Sequence, residues 1–192
     1  MAEKTQNQLY MIKAKEQLSG MWLSAAVGTL IFAALMWVAG LTYVGELLIT
    51  GPLSVGFAMF IIALTGYKRA DYNTIFEGFK NFGQTLIAGL LLTIFVCIGT
   101  MLLIVPGIII GLGLSMTFFI MVDNPQISGV DALQESWNLM KGHKWELFCL
   151  ELRFLGWALL CILTCGIGFL FLTPYMWAAQ LNFYRNIRYG SY

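Results

Sequence analysis

Long apolar runs alternate with short polar-faced stretches along this chain, and the short stretches carry a helical rather than a strand period. The clearest begins at Ser128. Val130, Leu133, Trp137 and Met140 recur at spacings of three and four, while Asp131, Gln134, Glu135 and Asn138 face away. Ser128-x-x-Asp131 caps its start. Such a helix suits a membrane surface, with its stripe in the acyl boundary and its polar side wet. Two further stretches repeat the design. Residues 5–19 open with Thr5-x-x-Gln8 and set Met11, Ala14 and Leu18 against Lys13, Lys15 and Glu16. Around Thr74-x-x-Glu77, the side chains of Tyr72, Ile75, Phe76, Phe79 and Phe82 line one face of a more aromatic helix.

Each of these leads into apolar chain long enough to cross a hydrocarbon layer of about 30 Å at about 1.5 Å per residue. The first span is expected at about 21–40, with Trp22 and Trp37 near its two boundaries. The second, about 47–65, is entered through Gly51-Pro52, since proline in the first turn of a helix costs nothing. The chain from Thr85 to Val122 carries no charge and is too long for one crossing; Pro106-Gly107 divides it into spans of about 85–105 and 107–122. The last run, Leu147 to Tyr184, is interrupted by Gly166-Ile-Gly168 and Thr173-Pro174, giving spans of about 146–165 and 168–185.

A single last crossing from Phe154 to Leu172 is the rival, and charge decides against it. Lys and Arg in short loops favour the cytoplasmic side. With six spans, both ends and both long loops share one side and hold every Lys and Arg except Arg153 among the eleven in the chain. The expectation is an all-α membrane protein of six transmembrane helices arranged as three hairpins, each preceded by an interfacial amphipathic helix. It forms a single polytopic domain over 1–192, with units of about 1–67, 68–127 and 128–192 and both termini cytoplasmic. Joins at Gly20, Gly83 and Gly142 suggest a threefold parallel repeat. Gly20 pairs with Gly142, Thr42 with Thr164, Pro52 with Pro174 and Tyr67 with Tyr189 at one constant offset.

Composition agrees: 59% of residues are hydrophobic, 11% are charged and the net charge is +1, which excludes a soluble single-core domain. No cleavable leader is apparent in the first twenty residues, so the first span is expected to stay as an anchor. Cys161 and Cys165 lie one helical turn apart, but no His, Asp or Glu accompanies them, and they read as lipid-buried thiols.

The order Ile104-Val-Pro-Gly-Ile108, Asp123-x-Pro125, Met140-Lys-Gly-His-Lys-Trp145, Gly156-Trp157, Gly166-Ile-Gly168 and Pro174-Tyr175 resembles the uncharacterised bacterial integral-membrane family catalogued as domain of unknown function 975. The likeness is sharpest over about 100–188. It implies a multi-span protein of the bacterial plasma (inner) membrane and no established activity, substrate or cofactor. Arg153 departs from the pattern, standing where a small polar residue is expected.

Enzyme constellations are absent. One histidine, His143, supplies neither a metal pair nor a nucleophile's base. Between Lys141 and Lys144 it reads as a headgroup or helix-end residue, with a pH-sensitive contact as the sharper alternative. No metal, cofactor or nucleic acid is implied. Charges inside spans are costly, at least about 2.5–3.5 kcal/mol at mid-bilayer, so Glu46, Glu151 and Arg153 stand out. Glu151 and Arg153 either snorkel to the headgroups or form the inner rim of a polar cavity. Glu46 lies at the outer surface beside its turn, or else is a proton or cation site. Gly107, Gly111, Gly113 and Ser115 form a small-residue strip that serves close helix packing or a groove. Lys68, Arg69, Trp137, Lys141, Lys144 and Trp145 are the expected lipid contacts. Membrane lipids, and a partner membrane complex, are the partners expected. Two function classes stay open: a non-enzymatic scaffold or accessory subunit that interacts with lipid, and a small transporter or exporter of a lipid, peptide or small solute. Oligomeric state leaves no signal in the sequence.

Overall fold

The structure, a computed structural model, describes residues 5–68, 71–164 and 166–190, and among these every regular element is a helix. Arg69 and Cys165 lie outside the described residues. Helix α1 (Gln6–Leu18) is followed by α2 (Trp22–Gly40) and α3 (Tyr43–Tyr67). A single turn, α4 (Thr74–Glu77), leads to α5 (Phe82–Leu102), α6 (Ile104–Leu114) and α7 (Thr117–Asp123). Then come α8 (Gly129–Leu139), α9 (Lys144–Leu163) and α10 (Phe169–Tyr189). The chain divides into two compact units. The first holds Met1–Ile31, Phe60–Asp71 and Trp145–Tyr192; the second holds Phe32–Met59 and Tyr72–Lys144.

Among the described residues, four stretches are long and apolar enough to cross a membrane: Trp22–Gly40, Gly45–Tyr67, Phe82–Leu102 and Ile104–Asp123. The expected fifth and sixth spans are not among them. Glu146, Glu151 and Arg153 occupy the first half of α9, and Gln180, Asn182, Arg185, Asn186 and Arg188 the second half of α10. The third hairpin is apolar only in its distal half.

Several boundaries differ from expectation. Helix α3 begins at Tyr43, so Pro52 lies inside it rather than opening it. The break between α5 and α6 falls at Leu103, which is extended (φ −166°, ψ 146°), three residues before Pro106. The cause is the missing proline N–H: Pro106 cannot donate back to the Leu102 carbonyl, so the earlier helix stops and Pro106 takes a first-turn place in α6. The second amphipathic helix shrinks to α4, and its expected capping box does not form. Asn73 is the N-cap, and Glu77 pairs with Lys80 at 2.7 Å instead. Gly78 ends it by packing on α3, where an added Cβ would sit 1.9 Å from the Pro52 carbonyl oxygen.

Backbone contact through glycine builds the second unit. A Cβ on Gly51 would lie 2.1 Å from the Thr85 carbonyl oxygen, and one on Gly56 1.8 Å from that of Ile75. Gly99 and Gly107 seat α5 on α6 in the same way. Helix α8 starts as expected, with Ser128 Oγ accepting from the Asp131 N–H at 3.1 Å. Its face is shared differently, however. Gly129, Ala132, Leu133, Ser136 and Met140 are buried against protein, while Val130 is 54% exposed and Trp137 half-buried. Ser136 Oγ donates to the Gly113 carbonyl at 2.9 Å, and the Gln84 side chain accepts from the Gly129 N–H at 2.9 Å. Small residues at helical spacing let α8 lie directly on α5 and α6, so half of the stripe meets protein rather than acyl chains.

In the first unit α1 packs along α10, burying Tyr10, Ala14 and Leu18. The Tyr10 ring meets Phe183 edge-on at 5.7 Å. Gly28 accommodates the Phe60 ring, against which a Cβ would come within 2.3 Å.

An offset of 122 residues relates the first and last sequence units in backbone as well as in letters. Helices α2 and α9 begin at Trp22 and Lys144, and α3 and α10 end at Tyr67 and Tyr189. Gly20 (φ 80°) and Gly142 (φ 87°) are both left-handed, as are Lys68 (φ 53°) and Gly190 (φ 61°). At the turn within each hairpin, Thr42 Oγ1 accepts from the Gly45 N–H (3.2 Å) and Thr164 Oγ1 from the Gly168 N–H (3.3 Å). The middle unit does not follow: Gly83 lies in the first turn of α5 and is not a left-handed join.

Candidate functional site

Polar side chains of the first unit collect in one layer, between α1, the first half of α9 and the second half of α10. Glu151 accepts from Gln180 Nε2 at 2.5 Å, linking α9 to α10. Arg153 donates to Thr5 Oγ1 at 3.0 Å, and Asn7 Nδ2 to the Glu146 carbonyl at 3.1 Å, so the start of α1 lies beside residues 146–153. Asn182, fully buried, donates to Gln17 Oε1 at 2.9 Å, and Asn186 Nδ2 to the Tyr10 hydroxyl at 2.7 Å. Lys68 Nζ donates to the carbonyls of Glu16, Gln17 and Ser19, the last at 3.2 Å, capping the carbonyl end of α1.

The same unit holds a cleft of about 380 Å³, lined by Lys15, Trp22, Trp157, Cys161, Gly168, Phe171, Leu172 and Tyr175. Tyr175 organises it, with Phe154 edge-on at 5.3 Å and Trp22 at 6.1 Å. The second unit holds a groove of about 590 Å³ between α5, α6 and α8, whose lining is apolar apart from Gln134. Trp137 forms its rim, with Lys144 Nζ 3.3 Å from the ring centroid. Burial, and then the nearby Lys141 charge, push the Lys144 ammonium below its ordinary pKa. A smaller cavity of about 260 Å³ lies between α2 and α3, closed by Phe76 and Phe79.

The residues singled out from sequence are thus scattered. Glu151 and Arg153 share the polar layer but lie in separate hydrogen bonds, and neither lines the three cavities. Glu46 is exposed in the first turn of α3, where its carbonyl accepts from Thr50 Oγ1. Lys141 is exposed and His143 half-buried beside the left-handed Gly142. Trp145 is 72% exposed and stacks on Phe148 at 5.4 Å. Lys68 serves α1. Of the glycine strip, Gly107 and Gly113 make close contacts, to Thr100 and to the Trp137 ring, while Gly111 has only Val96 near. Among the described residues no group of three His, Cys, Asp or Glu could hold a metal ion. Gln17, Gln180, Asn182 and Asn186 belong to this layer without standing out as charges in the sequence. Their signal was present: Asn182 and Asn186 are one turn apart, polar residues on one face of an apolar run.

These features define an all-helical protein with four stretches apolar enough to span a membrane. Half of the chain, residues 95–191, matches a family model described as Protein of unknown function (DUF975), and the chain belongs to that family. The match covers the motifs from Ile104 to Tyr175 on which the resemblance was read. Neither a curated protein nor a solved structure matches the chain.

Proposed function

We propose that this is a non-enzymatic, multi-pass protein of the bacterial plasma membrane that holds lipid, as a scaffold or accessory subunit, with both termini cytoplasmic. Four helices cross, and the third hairpin enters from the cytoplasmic face and returns to it. The observation that carries this topology is the placing of α1 beside residues 146–153. Helix α1 bears Lys13, Lys15 and Glu16 and cannot lie in hydrocarbon, so the first half of α9 belongs at the same headgroup level. From Arg153 to Leu163 is then about 15 Å, half the hydrocarbon thickness. Leu155, Trp157, Leu159, Leu160, Ile162 and Leu163 are exposed over that half, as a lipid-facing surface requires. Glu151 and Arg153 need not snorkel, because they already stand at the rim.

Lipid holding is supported by the cavities, whose linings are largely apolar: one cation, Lys15, lines the first-unit cleft, one amide, Gln134, the larger groove, and one hydroxyl, Thr42, the smallest cavity. The transporter alternative called for a polar cavity lined by Glu151 and Arg153; both are instead engaged between helices. The test is purification of the full chain in a mild detergent, followed by mass spectrometry of the intact protein. Phospholipid retained in whole-number ratio is expected. Delipidated protein of unchanged helicity and stability would refute the reading.

A further inference from the structure

The cleft of the first unit is apolar except where Lys15 lines it. Resting on the reading above, we infer that it is a binding site for an anionic phospholipid, its phosphate held by Lys15 and one acyl chain lying along Trp157, Cys161 and Phe171.

Three observations meet here. The first is the state of the cations. Lys68 is committed to the carbonyls of α1, and Arg153 to Thr5. Arg188 lies over the rings of Tyr184 and Tyr189. Lys15 has no hydrogen-bond or ion-pair partner among the described residues, yet it stands on a cleft wall. Lys15 is exposed and shares the cleft lining with Trp22, Trp157 and Tyr175, so its charge is open to an anionic headgroup.

The second is depth. Lys15 belongs to α1, in the polar layer, and the cleft continues along α10 from Tyr175 back to Gly168. Seven residues of helix make about 10 Å, which keeps the cleft within one leaflet of a hydrocarbon layer about 30 Å thick. Its volume of about 380 Å³ falls in the range of ligand pockets, about 300–1,000 Å³. Trp22 and Tyr175 line the cleft along with Lys15, and amphipathic rings of this kind are favoured at the headgroup boundary.

The third is an internal comparison. At the 122-residue offset, four wall residues of this cleft correspond to wall residues of the smaller cavity between α2 and α3. Trp157 answers Leu35, Cys161 answers Ala39, Phe171 answers Ile49 and Tyr175 answers Leu53. The smaller cavity has no cation and no tryptophan or tyrosine in its lining. The same offset exchanges Lys15 and Trp22 for Trp137 and Lys144, and there the ammonium already rests on the indole. The first-unit cleft is therefore the one of the pair equipped for a negative headgroup.

The experiment uses the full chain in phosphatidylcholine nanodiscs, with tryptophan fluorescence as the readout. Chain-brominated phosphatidylglycerol is added in one arm and chain-brominated phosphatidylcholine in another. Phosphatidylglycerol should quench at lower mole fraction, and Lys15→Gln should reduce that preference about fivefold, the weight of one lysine near a charged surface. Lys15→Arg should retain it. Trp157→Phe should remove the quenched component. Lys13→Gln removes the same charge from the same helix away from the cleft and should leave the preference intact. Equal quenching by the two lipids overturns the proposal, as does equal loss in the Lys13 and Lys15 variants. If Lys15→Gln does not fold, Lys13→Gln and Trp157→Phe still decide. Lipid retained without preference would sink this site while leaving the broader lipid-holding role standing.

Discussion

Ile167 stands at the tip of the third hairpin, between α9 and α10, and is 65% exposed. If the hairpin stops half-way, this side chain lies among acyl chains about 15 Å below Arg153. Aspartate is the informative replacement, because its short side chain cannot reach back to water. On the membrane-insertion scale Ile→Asp near the bilayer centre costs about 3–4 kcal/mol, two to three powers of ten in the equilibrium between seated and expelled hairpin. Were the hairpin to cross completely, the tip would emerge in water and the change would be close to neutral. The tip itself is built for hydrocarbon: the N–H groups of Thr164, Gly166, Ile167, Phe169 and Leu170 donate to carbonyls, and that of Gly168 to Thr164 Oγ1. Amide hydrogen exchange over α9 and α10 in nanodiscs reads the outcome directly. Ile167→Asp should speed exchange in the distal half by two to three powers of ten and leave α5 and α6 unaltered. A companion, Ile167→Cys in a background whose native cysteines are alanine, should resist impermeant maleimide applied outside intact cells. Labelling from outside, or exchange unchanged by aspartate, would defeat the half-depth hairpin and restore six crossings.

Gly56→Ala should lower the thermal stability of the detergent-solubilised protein by about 1–3 kcal/mol or more, since its Cβ meets the Ile75 carbonyl oxygen, whereas Gly111→Ala should be neutral or stabilising by up to about 1 kcal/mol; equal effects would contradict the close approach. Asn182→Leu leaves the Gln17 and Tyr10 acceptors without their buried donor and should cost about 1–3 kcal/mol, seen as earlier proteolysis of α1. Lys68→Met uncaps α1 and should cost about 0.3–1 kcal/mol, with faster exchange confined to its last turn; a global effect would point to another role.

The helices long and apolar enough to cross a membrane, the helix starting after Ser128 and the glycine joins at 20 and 142 were legible because each rests on local chemistry: run length, a capping side chain, a left-handed backbone. Pro106 correctly marked a break, but the break lies at Leu103, since a proline acts on the carbonyl four residues earlier. The second amphipathic helix misled because Gly78, which looks like any surface glycine in sequence, is where the chain must meet the α3 backbone. Helix α8 misled more subtly. Leu133 and Met140 read as a lipid-facing stripe, and only tertiary packing reveals that Gly129, Ala132 and Ser136 widen the buried face. The polar layer was least visible. Glu151 and Arg153 were noticed as charges, but their partners Gln180 and Thr5 lie far away in sequence, and pairing at that range leaves no local mark.

The half-depth hairpin proposed above would have a mechanical consequence. A wedge filling one leaflet and ending at the midplane would take up area on the cytoplasmic side with no matching displacement opposite. Lipid packing around it would be relieved where the cytoplasmic face is convex, so the leading edge of an ingrowing septum and vesicles whose outer leaflet is the cytoplasmic one should concentrate this hairpin over flat membrane and over the concave cell poles.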